Sequence, residues 1–401
     1  MGLIVQKFGG SSVRDAERLN NVAGIVGKTY DEGNDVVVVV SAQGDTTDDL
    51  IAKAAQITAK PSNREMDMLL STGEQISASL LTIALHEMGY PAISLTGWQA
   101  GFLTDSNHTR SRIRRIDKER LENELDKKKI VVVTGFQGIN RYDDITTLGR
   151  GGSDTSAVAL AAALKADRCQ IYTDVDGVYT TDPRLVKTAK KLDEITYDEM
   201  LELASLGAQV LHNRSVEMAK KFNVEMQVLS SLKPGAGTIV KEVVKMEKMM
   251  ITGVAKDDHV ARIALIGLPD KPGVAYKVFS LLASKRVNVD IILQSIGREA
   301  TKDITFTVAE GDKQTAVELL QEQASSIGIK DIVTDCNISK VSIVGAGMES
   351  NPGIAAKMFQ ALSEANINIH MISTSEIKIS VLIDKELGAK AVTAIHNVFE
   401  A

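Results

Sequence analysis

The sequence predicts an α/β protein in two parts. An N-terminal α/β sandwich with a mostly parallel central sheet is followed by two interleaved ferredoxin-like units of βαββαβ plan. Three observations support this fold class. The first ~240 residues alternate short apolar runs with helical stretches, the remainder repeats itself, and 401 residues exceed what one hydrophobic core normally holds.

The predicted strands are rich in Val and Ile without alternation, which is typical of a parallel sheet covered on both faces. They are Leu3–Phe8, Asp35–Ser41, Ala92–Ser94, Ile130–Thr134 and Gln170–Thr173. The predicted helices are Asp15–Gly27, Thr47–Ala59, Gly73–Met88, Lys118–Lys127, Ser153–Leu164 and Tyr197–Leu206. We expect this domain to span residues 1–240. A linker is expected at 241–249, where charged residues and clustered methionines follow a Pro-Gly-Ala-Gly turn.

The C-terminal region repeats itself at an offset of 80 residues, which indicates two copies of one unit. The recurring residues are Gly267, Pro272, Gly273, Ala275, Lys277, Phe279, Leu282, Asn288, Ile292 and Ser295, matched by Gly347, Pro352, Gly353, Ala355, Lys357, Phe359, Leu362, Asn368, Ile372 and Ser375. The units are assigned to residues 250–336 and 337–401. The second unit runs out of chain before a fourth strand. Either Met250–Ala255 or Ile329–Thr334 is expected to complete it, so that the two units interleave.

Composition and charge disfavour several classes of protein. A net charge of −6 argues against nucleic-acid binding, which needs clustered cations. Cys169 and Cys336 have no metal-ligand spacing, so two free thiols in a reducing compartment are expected. The N-terminus does not resemble a signal peptide, and no apolar stretch approaches the length of a membrane span. We therefore expect a cytoplasmic protein with neither a nucleic acid nor a membrane as partner.

The first strand runs directly into Lys7–Ser12 (KFGGSS), which combines a cation, paired glycines and hydroxyl groups before a helix. Glycines let backbone N–H groups approach an anion, and a helix N-terminus favours negative charge. A phosphate-binding turn is one interpretation. A tight connection with an exposed lysine fits the same residues equally well. The Walker pattern Gly-x-x-x-x-Gly-Lys is absent.

A second glycine-rich turn, Gly149–Thr155 (GRGGSDT), follows a strand after a polar excursion and starts another helix. Arg150 carries a planar fork that suits a carboxylate. Ser153 and Asp154 stand at the helix start, where either could be an N-cap. Because a cap accounts for only one of them, the complete turn favours a binding function.

The third element, Tyr172–Arg184, leaves a strand and supplies aromatic, hydroxyl and cationic groups in one loop. A simple turn explains only its Asp176-Gly177 pair. Tyr179 suits stacking on a base, and Arg184 suits the neutralisation of phosphates.

Together, five motifs resemble those of the aspartokinases, which belong to the amino-acid kinase family and carry C-terminal ACT domains. The motifs are Lys7–Val13 (KFGGSSV), Ser41–Gly44 (SAQG), Ser71–Glu74 (STGE), Gly149–Thr155 (GRGGSDT) and Thr173–Pro183 (TDVDGVYTTDP). The resemblance is collinear over essentially the whole chain. It is greatest to the bacterial type regulated by lysine and threonine. It implies an amino-acid-kinase-type sandwich with two ACT domains, and phosphorylation of the β-carboxylate of L-aspartate by ATP.

The resemblance also implies roles for individual residues. Lys7 and Asp154 would be catalytic, with Lys7 on the transferring phosphate and Asp154 ordering that lysine and the metal-bound phosphates. L-Aspartate would be held by Thr47, Glu74, Arg150, Gly151, Gly152 and Ser153, with Arg150 on the α-carboxylate and Glu74 on the ammonium. ATP would be bound by Lys7, Phe8, Gly9, Gly10, Ser11, Ser41, Thr173, Asp174, Tyr179 and Arg184. Mg²⁺ would be held mainly through the phosphates, with no metal site of protein side chains.

One departure from the family pattern lies in residues 207–213 (GAQVLHN). Many aspartokinases carry Lys where this chain has Gln209, and Pro where it has Asn213. Arg184 or Lys233 would then supply the cation at the nucleotide. A carboxylate acceptor has a pKa of about 4, so no general base is required. His212 is expected to be structural, with a role in the site as the alternative.

Each C-terminal repeat opens a helix with a Pro-Gly loop, whose free N–H groups suit the carboxylate of an amino acid. An ordinary helix N-terminus has the same pattern. The resemblance favours effector sites for lysine, threonine or both, built from Asp270, Gly273, Val274, Ala275, Gln294, Asn351, Asn368, Ile369 and Ser375. Exposed edge strands favour a homo-oligomer formed through the ACT domains. An internal start near Met246–Met250 would yield a shorter, ACT-only form.

Two rival functions stay open at this point. One is another kinase of the same fold, acting on glutamate or on uridylate. The other is an amino-acid sensor without activity, which intact Lys7, Arg150 and Asp154 disfavour. A panel of acceptors tested by ADP release distinguishes the three.

Overall fold

The computed structural model describes residues 2–206, 210–243, 251–295, 300–346, 348 and 351–400. They form two compact units. The first comprises Met1–Tyr179, Lys191–Ser205 and Gln209–Met246, and the second comprises Thr180–Lys190, Leu206–Ala208 and Glu247–Ala401. Gln209, Gly347 and most of the expected linker lie outside the described residues.

The first unit contains the sequence-predicted sandwich. Its described strands are β1 (Leu3–Phe8), β2 (Asp35–Val40), β3 (Ala92–Leu95), β4 (Phe102–Thr104), β5 (Ile113–Ile116), β6 (Ile130–Thr134), β7 (Gln137–Ile139), β8 (Ile145–Thr147), β9 (Arg168–Thr173), β10 (Glu194–Thr196), β11 (Met226–Ser230) and β12 (Thr238–Lys241). Its described helices are α1 (Ala16–Asp31), α2 (Thr46–Ile57), α3 (Asn63–Leu70), α4 (Thr72–Glu87), α5 (Glu119–Asp126), α6 (Gly152–Leu164), α7 (Tyr197–Ser205) and α8 (Asn213–Phe222). All the predicted strands and helices are present. The largest difference is in α1, which ends at Asp31 rather than Gly27.

The central sheet has the strand order β10-β12-β11-β9-β1-β2-β6-β3. Every neighbouring pair is parallel except β11 with β12, which confirms the mostly parallel sheet. The valines Val36–Val40 are all buried, as expected for a strand covered on both faces. Val36, Val38 and Val40 pack with residues of α1 and α4, while α6 packs against β1, β2 and β9. Burial of each valine side chain contributes about 1.5–3 kcal/mol.

A second, smaller sheet was not predicted. Its order is β5-β4-β7-β8, and it lies in the polar excursions of the sequence. Its strands β4, β7 and β8 have only three residues each, too short for a pattern of polarity to emerge. β8 leads directly into the glycine-rich turn at Gly149.

The expectation that no apolar stretch approaches the length of a membrane span was wrong. The helical stretch Asn63–Glu87, which joins α3 and α4, has 25 residues and is apolar enough by length and composition. Half of its apolar window is buried inside the protein, and α4 packs against β2, β3 and β6. The same composition is typical of a helix in the core of a soluble protein. The contacts with these strands show that α4 packs against the central sheet in this way.

The second unit contains the duplicated region. Its described strands are β13 (Gly253–Asp257), β14 (Val260–Pro269), β15 (Val289–Gln294), β16 (Thr301–Ala309), β17 (Asp331–Asp335), β18 (Ile338–Val344), β19 (Met371–Thr374) and β20 (Lys378–Asp384). Its described helices are α9 (Val274–Ser284), α10 (Lys313–Glu322), α11 (Ala324–Ile327), α12 (Ile354–Glu364) and α13 (Gly388–Glu400). They form two four-stranded antiparallel sheets, each with its own hydrophobic core.

The interleaving of the two repeats is confirmed. β13 precedes the first repeat in the chain, yet it pairs with β18 and completes the sheet of the second repeat, in the order β13-β18-β20-β19. β17 pairs with β14 and completes the first repeat, in the order β15-β16-β14-β17. The described part of the predicted run Met250–Ala255 therefore supplies the missing strand, and Ile329–Thr334 does not.

The expected continuous domain 1–240 requires one amendment, because Thr180–Lys190 groups with the second unit. Val186 from this segment is 4% exposed and belongs to the hydrophobic core of the second repeat. The carbonyl oxygen of Thr180 accepts from Val254 N–H at 2.7 Å, and its hydroxyl group lies 3.0 Å from His396 Nε2. The segment continues directly from Tyr179, in the predicted nucleotide loop.

Candidate active site

A cleft of about 1480 Å³ opens in the first unit beside the carboxyl ends of β1 and β2. In open parallel sheets this is where ligands bind. Eleven sequence-predicted residues line it: Lys7, Gly9, Gly10, Ser41, Thr47, Glu74, Arg150, Gly151, Gly152, Ser153 and Asp154. The four motifs that carry all of them except Thr47 are far apart in the chain, so the fold itself brings them together.

Lys7 and Asp154 form a close pair inside this cleft. The Nζ atom of Lys7 lies 2.6 Å from Asp154 Oδ1, and each side chain is only 12% exposed. The contact is an ion pair without hydrogen-bond alignment, since the buried Oδ1 atom has no hydrogen-bond partner in the described part of the chain. A cation and an anion held this closely, away from bulk water, interact more strongly than a surface pair.

The turn after Lys7 differs in detail from the expectation. Gly10–Ser12 forms one 3₁₀ turn, and α1 begins only at Ala16 with Asp15 as its N-cap. The absence of a side chain at Gly10 is required, because a Cβ atom there would lie 2.7 Å from the carbonyl oxygen of Ala42. Gly10 thus lets this turn approach the loop after β2 closely.

The second glycine-rich turn caps α6 with its backbone. Gly151 is the N-cap residue in a left-handed conformation, with φ 66°, and the cap has no side-chain hydrogen bond. Ser153 and Asp154 lie inside the first turn, so the N-cap interpretation of these residues was wrong. A Cβ atom at Gly151 would lie 2.1 Å from the His212 ring, which also lines the cleft. Burial lowers the pKa of His212.

Glu74 projects from the first turn of α4 and is 3% exposed. Its Oε1 atom accepts from Ala42 N–H at 3.1 Å, whereas its buried Oε2 atom has no hydrogen-bond partner among the described residues. Burial raises the pKa of Glu74 to about 8, and the bond from Ala42 offsets this rise only in part. A cationic ligand that reaches Oε2 would favour the ionised form.

Two residues predicted to bind ATP are placed away from the cleft lining. The Phe8 side chain is fully buried and stacks on Tyr172 with ring centroids 4.6 Å apart, so it cannot contact a nucleotide. Ser11 is exposed and does not line the cleft. The hydroxyl group of Ser12, the next residue, is instead buried 2.8 Å from the hydroxyl group of Ser231.

The predicted nucleotide loop also lies outside the cleft lining. Thr173 accepts from Val175 N–H at 3.0 Å, and the Tyr179 hydroxyl donates to Asp176 at 2.8 Å. Asp174 is exposed. Arg184 has an 89% exposed side chain, pairs with Asp182 and groups with the second unit. The roles of Thr173, Asp174, Tyr179 and Arg184 in binding ATP therefore stay predictions.

Sequence reasoning missed a group of cations in the cleft lining: Arg110, Arg112, Arg114, Arg214 and Lys221. The alternating arginines from 110 to 114 were a signal that could have been noticed. Arg214 also fixes the glycine-rich turn, because its guanidinium group donates to the carbonyl oxygens of Leu148 and Ser111 at 3.0 Å each. No group of three metal-ligating side chains occurs in the portion of the chain that the structure describes.

The Pro-Gly loops of the second unit differ from the cleft in being open. Gly273 and Gly353 cap α9 and α12 with φ angles of 89° and 99°, and no atom of the described residues lies within 4 Å of a Cβ atom built on either. Asp270 is 46% exposed and pairs with Lys302 at 2.6 Å. Of the other predicted effector residues, Val274 is buried, Asn351 and Ile369 are half-buried, and Ala275, Gln294, Asn368 and Ser375 are exposed.

Comparison with known proteins agrees with the division of the chain into an N-terminal domain and a duplicated C-terminal region. The amino acid kinase family matches residues 2–230, and the ACT domain matches residues 263–323 and 341–399. An aspartokinase of Bacillus sp. (strain MGA3) is 52% identical over 401 residues, covering all of this chain and 98% of that protein. An aspartokinase of Pseudomonas aeruginosa is 51% identical and covers the same shares of each chain.

Solved structures give the same picture. Aspartokinase III of E. coli in complex with aspartate and ADP superimposes with a TM-score of 0.85, at 26% identity and with full coverage of both chains. The same enzyme in complex with lysine and aspartate gives a TM-score of 0.75 with equal coverage. Identity above one half over the full length, together with both domain matches, establishes the family. The chain therefore belongs to the aspartokinases, within the amino acid kinase family.

Proposed function

We propose that the chain transfers the γ-phosphoryl group of ATP to the β-carboxylate of L-aspartate, giving 4-phospho-L-aspartate and ADP. The observation that carries this proposal is the convergence of unlike charges in one cleft. A buried Lys7–Asp154 pair lies in the same cavity as the buried Glu74 and the exposed Arg150. A transfer site for phosphate and a recognition site for an amino acid require these complementary groups.

On the transfer side, Lys7 supplies the positive charge. Phosphoryl transfer needs donor and acceptor in line and needs the developing negative charge to be neutralised. Lys7 is held by Asp154 before any ligand binds, so little reorganisation is required at the moment of transfer. Gly9 leaves room beside it for a phosphate to approach the backbone, because a Cβ atom on Gly9 would lie 3.4 Å from Lys7 Nζ.

On the acceptor side, Glu74 and Arg150 distinguish an amino acid from other carboxylates. The buried Oε2 atom of Glu74 suits the ammonium group, and the guanidinium of Arg150 suits the α-carboxylate. The β-carboxylate then points to the transfer side. It is already ionised at neutral pH, so no general base has to be found among the residues that line the cleft.

Asp154 fits the magnesium ion that such a transfer requires. Mg²⁺ is normally held by one or two carboxylates together with substrate phosphates, and Asp154 is such a carboxylate in the cleft. A bound Mg²⁺ would supply positive charge to the phosphates, and Asp154 would help to hold it. Lys7 and Asp154 then share the task of positioning the phosphates.

We propose that lysine, threonine or both inhibit the enzyme through the ACT domains. The structure of E. coli aspartokinase III with lysine supports lysine as an effector in this family. The segment Thr180–Lys190 offers a route, because it packs in the second unit and continues the chain of the predicted nucleotide loop. Exposed Ile292 on β15 and Ile372 on β19 support association of chains through ACT edge strands. An ACT-only form of the chain stays a prediction.

The test is release of ADP from ATP and Mg²⁺ with each of several acceptors. We expect turnover with L-aspartate and none with L-glutamate or uridylate. If the enzyme prefers glutamate or uridylate, that compound is the acceptor instead of L-aspartate. If none of the acceptors is turned over, the chain is an amino-acid sensor without kinase activity. Titration of the aspartate reaction with lysine and threonine, separately and together, then identifies the effectors.

A further inference from the structure

Asp67, on α3, is a buried carboxylate that lies outside the cleft lining. Its side chain is 0% exposed, and its Oδ2 atom accepts from His108 Nδ1 at 2.8 Å. Both of its oxygens accept from Thr109 N–H at 3.0 Å. Its Oδ1 atom also accepts from the Thr147 hydroxyl at 2.5 Å. One carboxylate thus holds a loop and a strand end in place.

The partners of Asp67 belong to segments that carry or adjoin the proposed acceptor groups. α3 is followed directly by α4, which carries Glu74 in its first turn. Thr147 is the last residue of β8, and Arg150 follows in the turn that this strand enters. Thr109 lies in the loop and itself lines the cleft. The carboxylate therefore fixes the segment of Glu74 relative to the segment of Arg150.

The loop is held in a conformation that it would not adopt alone. Thr109 has a φ angle of 67°, in the left-handed region, which is a genuine outlier for a β-branched residue. Such a conformation persists only when its surroundings over-determine it, and such outliers cluster at functional sites. The carbonyl oxygen of Thr109 also lies 3.1 Å from where a Cβ atom on Gly149 would be. The loop and the glycine-rich turn therefore approach closely.

Stability alone does not account for a carboxylate at this place. Burial of an ionised group is unfavourable unless hydrogen bonds compensate, and a well-packed apolar side chain is often as stabilising. The cost of burying Asp67 is compensated by hydrogen-bond donors from two separate segments. An apolar side chain could not fix these two segments relative to each other. We infer that Asp67, with His108 as its partner, is a positioning residue that sets the geometry of the aspartate-binding side of the cleft. This inference rests on the proposed function.

The experiment compares four variants by steady-state kinetics: Asp67→Asn, His108→Ala, His108→Asn and, as a control, Asp117→Asn. Asp67→Asn replaces two acceptor oxygens with one. His108→Ala removes one donor from a partly exposed position, so this variant remains informative if Asp67→Asn does not fold. His108→Asn keeps an N–H donor close to the place of Nδ1. Asp117→Asn removes an exposed carboxylate from the same small sheet region.

We expect Asp67→Asn and His108→Ala to raise the KM for aspartate about 10- to 100-fold, because even a small displacement of the groups that bind aspartate strongly weakens its binding. The KM for ATP should change less than about threefold, since the groups of the transfer side keep their places. His108→Asn should restore the KM for aspartate to within about threefold of the unmodified enzyme. Asp117→Asn should change neither KM.

A merely structural role of Asp67 predicts a different outcome. It would lower the melting temperature and the amount of active enzyme, while both KM values stayed unchanged. Equal effects of His108→Ala and His108→Asn would likewise overturn the inference. If the unmodified enzyme does not use aspartate at all, the proposed function fails instead. An unmodified enzyme that is active, with variants showing no split between the two KM values, refutes the positioning role alone.

Discussion

The catalytic cleft and the Pro-Gly loops of the ACT repeats differ in how far their charged side chains are buried and paired within the chain. In the cleft, Lys7 and Asp154 are each 12% exposed and contact each other at 2.6 Å, and Glu74 is 3% exposed. In the first repeat, Asp270 is 46% exposed, and within the described ranges no atom lies within 4 Å of a Cβ atom built on Gly273. Lys7, Asp154 and Glu74 are thus largely shielded from solvent by their own chain, whereas the loop is open.

The difference in burial indicates how each site depends on its own side chains. A site whose charged groups are already buried and paired is preorganised, so removal of one group leaves its partner unsatisfied. An open loop supplies only part of a binding surface, and the remainder has to come from the effector or from a second chain. We therefore expect substitutions in the cleft to affect uninhibited turnover strongly. Substitutions in the loops should affect only inhibition.

The largest effect is expected for Lys7→Ala. Loss of one preorganised donor in a water-poor site typically lowers kcat by about 10²- to 10³-fold. Asp154 would also lose the cation that compensates its burial. The measurement is kcat for ADP release at saturating ATP and aspartate, with circular dichroism to check folding. Lys28→Ala, which removes an exposed lysine from α1, serves as the control. A folded Lys7→Ala enzyme with near-normal kcat would contradict the assignment.

A smaller effect is expected for Arg150→Lys. An ammonium group cannot form the paired hydrogen bonds of a guanidinium, so the KM for aspartate should rise about tenfold. The KM for ATP should change much less, because Arg150 is proposed to contact only the acceptor. The measurement is both KM values in parallel. If the KM for ATP rises instead, Arg150 belongs to the nucleotide and the proposed orientation of substrates is wrong.

The dependence of aspartate binding on pH provides the third test. The pKa of Glu74 is raised to about 8 by burial, so the free cleft holds a mostly protonated side chain at neutral pH. The ammonium group of aspartate prefers the ionised form. The KM for aspartate should therefore fall as the pH rises through about 8, by close to tenfold at most.

Glu74→Gln is the matched variant for this test. It cannot ionise, so its KM for aspartate should be higher and should not vary across the same range of pH. A variant that keeps the pH dependence of the unmodified enzyme would show that another group is responsible. The linked effect on stability has the opposite sign. A carboxyl whose pKa is raised in the folded state contributes stability below its ordinary pKa of 4.5, and that contribution is lost as the pH rises through about 8.

Much of the cleft could be predicted because its motifs are local in sequence. Only Phe8 separates Lys7 from the paired glycines, and Arg150 stands inside a glycine-rich turn, so both residues can be recognised from the local sequence. The hydrogen bonds of Asp67 to His108 and Thr147 span 41 and 80 residues in the sequence, so no local sequence pattern predicts them. The exposure of Arg184 could not be foreseen either, because it depends on the packing of its segment in the second unit.

The smallest effect on uninhibited turnover is expected in the ACT repeats. Sensor and site belong to separate compact units, so control must be a coupling between two states of the protein. Such coupling typically amounts to about 1–3 kcal/mol, which corresponds to roughly five- to 150-fold inhibition. Substitutions that spoil the effector site should abolish this inhibition and leave uninhibited kcat within about twofold of the unmodified enzyme.

The variants that test this are Asp270→Ala and Gln294→Ala in the first repeat, and Ser375→Trp in the second. We expect the first two to desensitise the enzyme to threonine, because they remove a carboxylate beside the Pro-Gly loop and an amide on an edge strand. Ser375 is exposed in the turn after β19, so a bulky side chain there should block lysine. Asp331→Ala, on the opposite edge of the first sheet, should leave inhibition by both amino acids unchanged. Unchanged inhibition in all three test variants would place the effector site elsewhere. Loss of uninhibited activity in all three would mean that these open loops support the fold, and the contrast with the cleft would then fail.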